Sequence, residues 1–387
     1  MENKRQTIEL SDIFEKNKET FLSSPKLVST QRKAFRDILS CRTEKLGGHV
    51  RECNNCETKE QAYNSCRNRH CPKCQFTKKA KWVDKLASNL PPVKCFHLVF
   101  TVPDSLNTLF YLNQRDAYDL LFKAANETIM QTAENINYLG AKAGGVAILH
   151  TWGQTLVYHP HIHMIVPGGG LSEDGREWIP AHEKFFLPVK VLSAIFRGIL
   201  FKHFEKAIQK GEIKLTNDIK DVETLKGIWY KKKWVVYAKK PFAKPDNLIN
   251  YLGNYTHRVA ISNQRILEHT DGKVIFGYKD YKNAGLRKTM SLPEEEFIRR
   301  FLQHILPSGF RKIRYFGFMS LRFLKENLDK CVEILNKAVF LPMLEGLNAL
   351  EVVSFTLNKD MTACKKCKNG RMRAKHKILY SPTHSAA

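Results

Sequence analysis

Two histidines separated by one residue are the first candidates for chemistry in this sequence. His161 and His163 lie in the run YHPHIHMIV at residues 158–166, which is apolar, partly β-branched and followed by a proline and three glycines. This composition predicts a strand that ends in a turn. Side chains two residues apart project from one face of a strand, about 7 Å apart along the backbone, so both imidazoles could bind one divalent ion. The alternative is a pair of exposed or core-satisfied histidines, although an uncompensated imidazole in apolar surroundings is costly.

Cysteine pairs near the N-terminus predict a structural zinc site. Cys53 and Cys56 form one CxxC pair, Cys71 and Cys74 form another, and fourteen residues separate the two pairs. Such spacing is typical of a four-cysteine zinc site, which stabilises a module too small to have its own core. Further candidate ligands nearby either form a second, interleaved site or are ordinary polar and buried residues: Cys41, His49, Cys66 and His70.

The charge balance indicates a polyanionic partner. Lysine and arginine number 63 against 38 acidic residues, a formal net charge of +25. Because such a surplus repels itself, nucleic acid is the first candidate partner and an anionic membrane surface the second. In the cysteine-rich segment, Arg67, Arg69 and Lys73 are the predicted DNA contacts, and a merely solvated basic face is the alternative.

Two tyrosines provide a candidate nucleophile. Residues 248–255 have a helical pattern after a possible N-cap at Asp246, which places Tyr251 and Tyr255 on one helical face. Spacing alone favours an aromatic packing pair. Beside a phosphodiester held by a metal ion, however, a tyrosine hydroxyl could attack phosphorus and form a covalent phosphotyrosine. Arg258 follows closely and could help to bind phosphate.

The rest of the chain supplies elements that could position these groups. Its 387 residues, 43% of them hydrophobic, allow one large domain or two to three ordinary ones. Strands are predicted at 94–103, 146–152, 234–238 and 273–278, with a further strand opening at 259–261, and helices at 114–136 and 188–210. Residues 1–40 and 293–352 have helical patterns. Cys364 and Cys367 form a third CxxC pair in a basic tail, either half of another zinc site or the remnant of one.

No segment predicts membrane insertion or secretion. The sequence contains no run of about 18 apolar residues, and the charged N-terminus has no apolar stretch of the signal-peptide type. We therefore expect a reducing compartment, in which closely spaced cysteines indicate metal binding rather than disulfides.

Four segments resemble the HUH tyrosine endonucleases, and most closely the rolling-circle insertion-sequence transposases of the IS91 family. They are YNSCRNRHCPKCQ at 63–75, FHLVFTVP at 96–103, HTWGQTLVYHPHIHMIVPGGG at 150–170 and YLGNYTHRVAISNQRI at 251–266. The resemblance follows the order of the family and covers nearly the whole chain.

This resemblance implies an α+β fold with a central antiparallel sheet, flanking helices and a small N-terminal zinc-binding domain. The expected domains are a DNA-binding zinc domain at 1–90, a catalytic domain at 91–290 and a helical basic region at 291–387. His161 and His163 match the HUH metal motif, and Tyr251 and Tyr255 match the catalytic tyrosines. Gln154 is the expected third metal ligand and His159 the alternative.

The implied activity is single-strand DNA cleavage and transfer in the bacterial cytoplasm, with DNA ends as partner and no membrane. Structural Zn²⁺ and catalytic Mg²⁺ or Mn²⁺ are the expected cofactors. A replication initiator or relaxase with the same chemistry is one alternative, and a zinc-finger nucleic-acid-binding protein without catalysis is another. The N-terminal zinc module and the THRVAISN segment at 256–263 favour the transposase.

Overall fold

The computed structural model describes residues 8–183, 186–242, 260–281 and 283–379. Within these ranges every paired strand runs antiparallel to its neighbour. The strands are β1 (Gly48–Cys53), β2 (Lys59–Tyr63), β3 (Cys95–Thr101), β4 (Gly144–Trp152), β5 (Tyr158–Pro167), β6 (Gly169–Leu171), β7 (Trp178–Pro180), β8 (Val235–Phe242), β9 (Ile266–Thr270), β10 (Lys273–Asp280), β11 (Leu286–Pro293), β12 (Ile313–Gly317) and β13 (Met372–Ile378).

Helices cover the sheets and connect them. They are α1 (Leu10–Lys16), α2 (Lys18–Ser23), α3 (Ser29–Ser40), α4 (Phe76–Ser88), α5 (Asn107–Leu112), α6 (Gln114–Glu134), α7 (Val189–Gln209), α8 (Val222–Lys231), α9 (Glu294–Leu302), α10 (Leu324–Leu335) and α11 (Ala349–Leu357). No helix in the described part of the chain is both long enough and apolar enough to span a bilayer.

The central sheet has five strands in the order β12-β4-β5-β3-β8. One of its faces, which includes Phe100, Leu149 and Ile162, packs into the main hydrophobic core together with α6 and α7. On the opposite face, Val146 and Ile165 pack against α4 and α10. Burial on both faces accounts for the nearly continuous apolar runs of β3 and β4, which the sequence shows in place of strict alternation.

A second unit surrounds the N-terminal cysteines. The sheet β13-β1-β2 has few buried side chains along its strands. Beside it, α1 and α3 contribute Phe14 and Phe35 to a separate core, which also receives Phe276 from β10 and Phe297 from α9. The helical N-terminal segment is therefore anchored to the β9–β11 sheet rather than standing alone.

The C-terminal region contributes strands to both other units. β12 pairs with β4 at the edge of the central sheet, with Ile313 opposite Ile148. β13 pairs with β1, with Met372 opposite Cys53. The prediction of a helical region at 291–387 is therefore incomplete. β12 is short, and β13 is mostly charged and exposed, so neither carries the apolar alternation by which a strand is recognised.

The predicted mixture of helices and an antiparallel sheet is confirmed. The strands expected near 94–103, 146–152, 234–238 and 273–278 correspond to β3, β4, β8 and β10, and the two long helices correspond to α6 and α7. The predicted strand at 259–261 is wrong for its described residues. Ala260 has a left-handed backbone with φ of 55°, and Ile261 lies outside any strand.

Candidate functional site

β5 carries three histidines on one of its faces. His159, His161 and His163 project to one side, whereas Ile162 and Met164 are buried in the main core on the other. The alternation follows from the two-residue period of an extended strand. The predicted pairing of His161 and His163 on one face is present, and their ring centroids lie 4.8 Å apart.

The neighbouring strand supplies a third histidine. His150 on β4 lies directly opposite His161 in the antiparallel register. Its ring centroid lies 5.5 Å from that of His161 and 4.2 Å from that of His163. One ring nitrogen from each residue lies within 4.8 Å of the other two. His150, His161 and His163, here called the histidine cluster, thus form a ligand set suited to one divalent ion.

Two contacts orient the rings of this cluster. The Nδ1–H of His161 donates to the backbone carbonyl of His159 at 2.6 Å. This bond leaves the Nε2 lone pair of His161 for a ligand. The Nδ1 of His163 lies 2.7 Å from the Nε2 of His97, a residue of β3. A partner on the far nitrogen is the usual way in which a protein sets the tautomer of a metal-binding histidine.

Burial keeps two histidines of the cluster uncharged. It lowers the pKa of His161 to about 3, with a smaller contribution from the charge of His159. It also holds the pKa of His150 well below the ordinary value, helped by the charge of His161. Both rings are therefore neutral near pH 7, and a neutral imidazole is the form that binds a metal.

The donor set discriminates between the expected cofactors. Mg²⁺ prefers an octahedron of oxygen ligands, whereas imidazole nitrogen suits transition metals. Three histidine nitrogens therefore fit Mn²⁺ better than Mg²⁺.

Gln154, the expected third ligand, has hydrogen-bond partners outside the histidine cluster. β4 ends at Trp152, so Gln154 belongs to the turn before β5. Its side-chain oxygen accepts a hydrogen bond from the backbone N–H of Lys279 at 3.3 Å, and its carbonyl accepts one from Arg265 at 2.5 Å. The third histidine whose ring nitrogen converges with those of His161 and His163 is His150. His159 has its ring 5.2 Å from that of His161 but is absent from the cluster of converging ligand atoms.

The predicted nucleophiles Tyr251 and Tyr255, and the predicted phosphate contact Arg258, lie outside the described residues. Their roles stay predictions.

A groove of about 700 Å³ adjoins the histidine cluster. Its lining includes Trp152, whose indole stacks on the ring of His150 with 4.9 Å between centroids. The walls also include residues 260–265 and the sheet β9–β11. Aromatic and cationic residues line this space, among them Tyr278, Tyr281, Lys279 and Arg287. Aromatic rings interleaved with cations are typical of grooves that bind single-stranded nucleic acid.

The cysteines form two clusters, and neither is the four-cysteine set expected from the sequence. The first cysteine cluster consists of Cys41, Cys66, Cys71 and Cys74. Cys41 and Cys74 have sulfurs 3.1 Å apart, and Cys66 lies 3.5 Å from Cys74. Hydrogen bonds from the other three thiols, that of Cys41 foremost, lower the pKa of Cys74. A lowered pKa favours the thiolate, which is the form that binds zinc.

The second cysteine cluster consists of Cys53, Cys56, Cys364 and Cys367. The sulfurs of Cys53 and Cys367 lie 3.7 Å apart, as do those of Cys56 and Cys364. The prediction that Cys53 and Cys56 share a site with Cys71 and Cys74 is therefore wrong. The CxxC spacing identified each pair but contains no information about its partner.

Neither histidine proposed for an interleaved zinc site joins a cluster. His49 lies on β1 and is absent from the converging ligand sets within the described residues. His70 is buried, accepts a hydrogen bond from the backbone N–H of Leu306 at 3.2 Å and contacts the Asn68 side chain at 3.1 Å. Both of its nitrogens therefore serve the fold, whereas Cys41 and Cys66 are ligand candidates.

Two of the predicted DNA contacts are engaged within the protein. Arg69 donates to the carbonyls of Phe310 at 2.5 Å and Pro307 at 2.9 Å. Lys73 forms an ion pair with Glu9. Arg67 is exposed, and its role as a DNA contact stays a prediction. Arg69 therefore joins the zinc module to the loop before β12 through hydrogen bonds.

His150 is the functional residue that reasoning from the sequence missed. It occupies the alternate position after Val146 and Ile148 on a predicted strand. That periodicity could have placed it on the same strand face as the side chains of Val146 and Ile148. Its approach to His161 additionally required the register between β4 and β5.

Comparison with known protein families identifies two matches. The model described as "Putative transposase" matches residues 144–327, which contain the whole histidine cluster. The model described as "Transposase zinc-binding domain" matches residues 13–102, which contain all of the first cysteine cluster and only Cys53 and Cys56 of the second. The zinc-binding match and the converging sulfurs together support structural zinc.

Two curated proteins are similar over most of their length. "Putative transposase y4qJ" of Sinorhizobium fredii (strain NBRC 101917 / NGR234) is 43% identical over 341 residues, which cover 86% of each chain. "Transposase for insertion sequence element IS801" of Pseudomonas savastanoi pv. phaseolicola is 30% identical over 336 residues, covering 85% of this chain and 80% of the relative.

Proposed function

Since this chain belongs to the IS91 family of insertion-sequence transposases, we propose that it cuts a single DNA strand and transfers it through a tyrosine ester. The observation that carries this proposal is the convergence of three imidazoles beside a groove lined by aromatic and cationic residues. A protein that only binds DNA could use the groove but has no need for the converging imidazoles.

The histidine cluster would hold a divalent ion, for which its donors fit Mn²⁺. When bound, the ion would supply Lewis-acid stabilisation of charge on the non-bridging oxygens of the scissile phosphate. The chain contributes the rigid placement of its ligands. His161 and His163 share one strand, His150 is paired beside them, and the carbonyl of His159 orients one ring.

The proposed nucleophile is the hydroxyl of Tyr251 or Tyr255. Its oxygen bonds to phosphorus as the bond from phosphorus to the 3′ oxygen breaks, which leaves a 5′-phosphotyrosine and a free 3′ hydroxyl. The 3′ hydroxyl of a second DNA strand can then attack the phosphorus, displace the tyrosine and form a new phosphodiester bond. The energy of the cut bond is kept in the tyrosine ester, so no external energy source is required. Two nucleophiles would allow one strand end to stay bound while the next is cut.

The position of Ala260 supports this role for the tyrosines. Ala260 lines the groove and follows Tyr255 by five residues. Five residues span at most about 17 Å of chain, so Tyr255 is tethered within that distance of the groove.

The groove supports single-stranded DNA as the substrate. Lys279 and Arg287 are exposed on the β10–β11 hairpin and can contact phosphates, while Tyr278 and Tyr281 offer rings on which bases can stack. Unpaired bases are required for such stacking, and in a duplex they are already stacked on one another.

An oligonucleotide assay tests the proposal. Single-stranded DNA from the ends of the insertion sequence, labelled at its 3′ end, should give a labelled protein band on a denaturing gel in the presence of Mn²⁺. The same DNA labelled at its 5′ end should release a shorter fragment with a 3′ hydroxyl and leave the protein unlabelled.

Tyrosine variants identify the nucleophile. Tyr251→Phe and Tyr255→Phe should each block complete strand transfer, at least one should still form the adduct, and the double variant should form none. Tyr138→Phe is the matched control, because Tyr138 is 41% exposed and lies in the connection between α6 and β4. An adduct that persists in the double variant would refute these nucleophiles, and a 5′-labelled adduct would refute the proposed polarity.

A further inference from the structure

The second cysteine cluster joins the two ends of the chain. Cys53 and Cys56 lie at the end of β1 and in the turn that follows, and Cys364 and Cys367 lie in the turn region before β13. The sequence separation is 308 residues between Cys56 and Cys364 and 314 between Cys53 and Cys367. All four sulfurs nevertheless lie within 4.8 Å of one another.

We propose that this cluster binds a second structural zinc ion, distinct from that of the first cysteine cluster, and that the ion attaches the C-terminal strand β13 to the N-terminal module. The matched zinc-binding domain ends at residue 102 and contains only half of these ligands. The proposal is independent of DNA cleavage.

The backbone around the four sulfurs has the form of two facing zinc knuckles. The N–H of Asn55 donates to the sulfur of Cys53 at 3.4 Å, and the N–H of Gly370 donates to the sulfur of Cys367 at 3.3 Å. Donors of this kind stabilise thiolate charge in both turns. Each pair thus supplies two preorganised ligands, and together they complete the four required for a closed tetrahedral site.

Gly370 is required by the close approach of the two turns. A Cβ at this position would collide with the sulfur of Cys53 and the side chain of Asn55. The backbone N–H of Arg371 donates to the side chain of Asn54 at 2.7 Å, and that of Asn54 donates to the Arg371 carbonyl at 3.1 Å. The tail therefore fits the knuckle closely before any ion is considered.

Apart from backbone pairing with β1, few contacts within the protein hold β13 in place. Strand β1 is buried only at its two ends, Gly48 and Cys53, and all seven residues of β13 are at least partly exposed. The segment 365–377 contains seven lysines and arginines and no acidic residue, so it repels itself. The ion pairs of Lys365 with Glu60 at 3.5 Å and of Lys375 with Glu52 at 3.3 Å each involve an exposed lysine, and such pairs contribute little.

Metal counting on the full-length protein tests the proposal. After weakly held ions are washed out with a mild chelator, the wild-type chain should retain two zinc ions, one for each four-cysteine cluster. The double variant Cys364→Ser/Cys367→Ser should retain one, and so should Cys66→Ser/Cys74→Ser. Cys95→Ser/Cys331→Ser is the matched control, because both residues are buried cysteines outside the clusters, and it should retain two.

Hydrogen exchange on the same proteins separates loss of the ion from general unfolding. In Cys364→Ser/Cys367→Ser, amides of residues 372–378 should exchange much faster, while those of β3, β4 and β5 should be unchanged. One zinc ion in the wild type, or two in this variant with β13 still protected, would overturn the proposal. A variant that unfolded throughout would show faster exchange in the central sheet as well, and that result would overturn the assignment of a local role to the ion.

Discussion

The histidine cluster and the second cysteine cluster bring ligands together in opposite surroundings. The histidines stand on a sheet in which eight of the nine residues of β4 are buried, over a continuous hydrophobic core. The cysteines join strands with few buried residues, at the meeting point of two distant chain segments. The sheet would therefore form without its ion, because its core stabilises it. The second cysteine cluster has no such core around it, so we expect its ion to contribute to folding directly.

The difference between these sites indicates which one suits a catalytic ion and which one suits a structural ion. An ion whose ligands are already held in place can change its coordination during a reaction without disturbing the fold. An ion that holds the fold together must keep a closed and constant ligand set. On this ground the histidine cluster is suited to catalysis, and the two cysteine clusters are suited to structure.

The largest expected effect is a difference in the loss of stability between variants of the two cysteine clusters. Cys41 and Cys71 are buried in the core shared by α1, α3 and α9, whereas the second cluster lies apart from that core. Cys71→Ser/Cys74→Ser should therefore unfold the helices α1 and α3 packed around the first cluster, because structural zinc contributes roughly 10–16 kcal/mol. Cys364→Ser/Cys367→Ser should release mainly β13. Thermal unfolding followed by circular dichroism measures both, and equal losses in the two variants would contradict the distinction.

The sequence predicted those parts of the molecule whose evidence is local. His161 and His163 could be paired because a strand repeats every two residues, and the CxxC pairs could be recognised because each lies in one turn. The partners of those pairs could not be predicted, since nothing in the spacing of Cys53 and Cys56 shows that the chain end returns to them. The position of Gln154 in a turn likewise depends on the residue at which β4 ends.

The hydrogen-bond partners of buried side chains also could not be predicted from the sequence. His70 was a plausible zinc ligand from its position beside Cys71 and Arg69 a plausible phosphate contact. In the structure both side chains form hydrogen bonds with backbone groups of the segment 306–310, more than 230 residues away in the chain. Such contacts depend on tertiary packing, which composition does not encode.

A smaller effect concerns buried histidines that serve the fold. Burial lowers the pKa of His304 to about 4, and the ring contacts the Thr151 side chain and the Leu156 carbonyl. The unfolded chain binds this proton near pH 6.5, so the contribution to stability is complete above that pH and is lost as the pH falls towards 4. Denaturant unfolding from pH 7 to pH 4 should show this loss as a falling free energy of unfolding. In His304→Gln the free energy of unfolding should depend less on pH.

The matched control for this prediction is His376→Gln, because His376 is exposed on β13. It should leave the pH dependence of the free energy of unfolding unchanged. A steeper dependence in His304→Gln than in the wild type would show that the sign is wrong.

The smallest effect concerns DNA binding by the basic tail. Arg373 and Lys377 are exposed on β13. If both contact phosphates of single-stranded DNA, Arg373→Gln/Lys377→Gln should reduce the slope of log affinity against log salt by about 1.4. Lys231→Gln/Lys232→Gln at the end of α8 removes the same charge elsewhere and should change the slope less. Equal changes in the two double variants would show that only net charge matters.

The central claim is that the histidine cluster acts on the scissile phosphate and not on DNA binding. One experiment measures both quantities, oligonucleotide affinity and covalent adduct, in the same samples with Mn²⁺. His150→Ala, His161→Ala and His163→Ala should each lower adduct formation by about a thousandfold, the rate equivalent of several kcal/mol of metal stabilisation. Their affinities should stay within about threefold of the wild type, since cationic side chains supply that binding. Gln154→Ala should retain the adduct. Loss of affinity in step with the adduct, or an adduct that survives in the histidine variants, would contradict the claim.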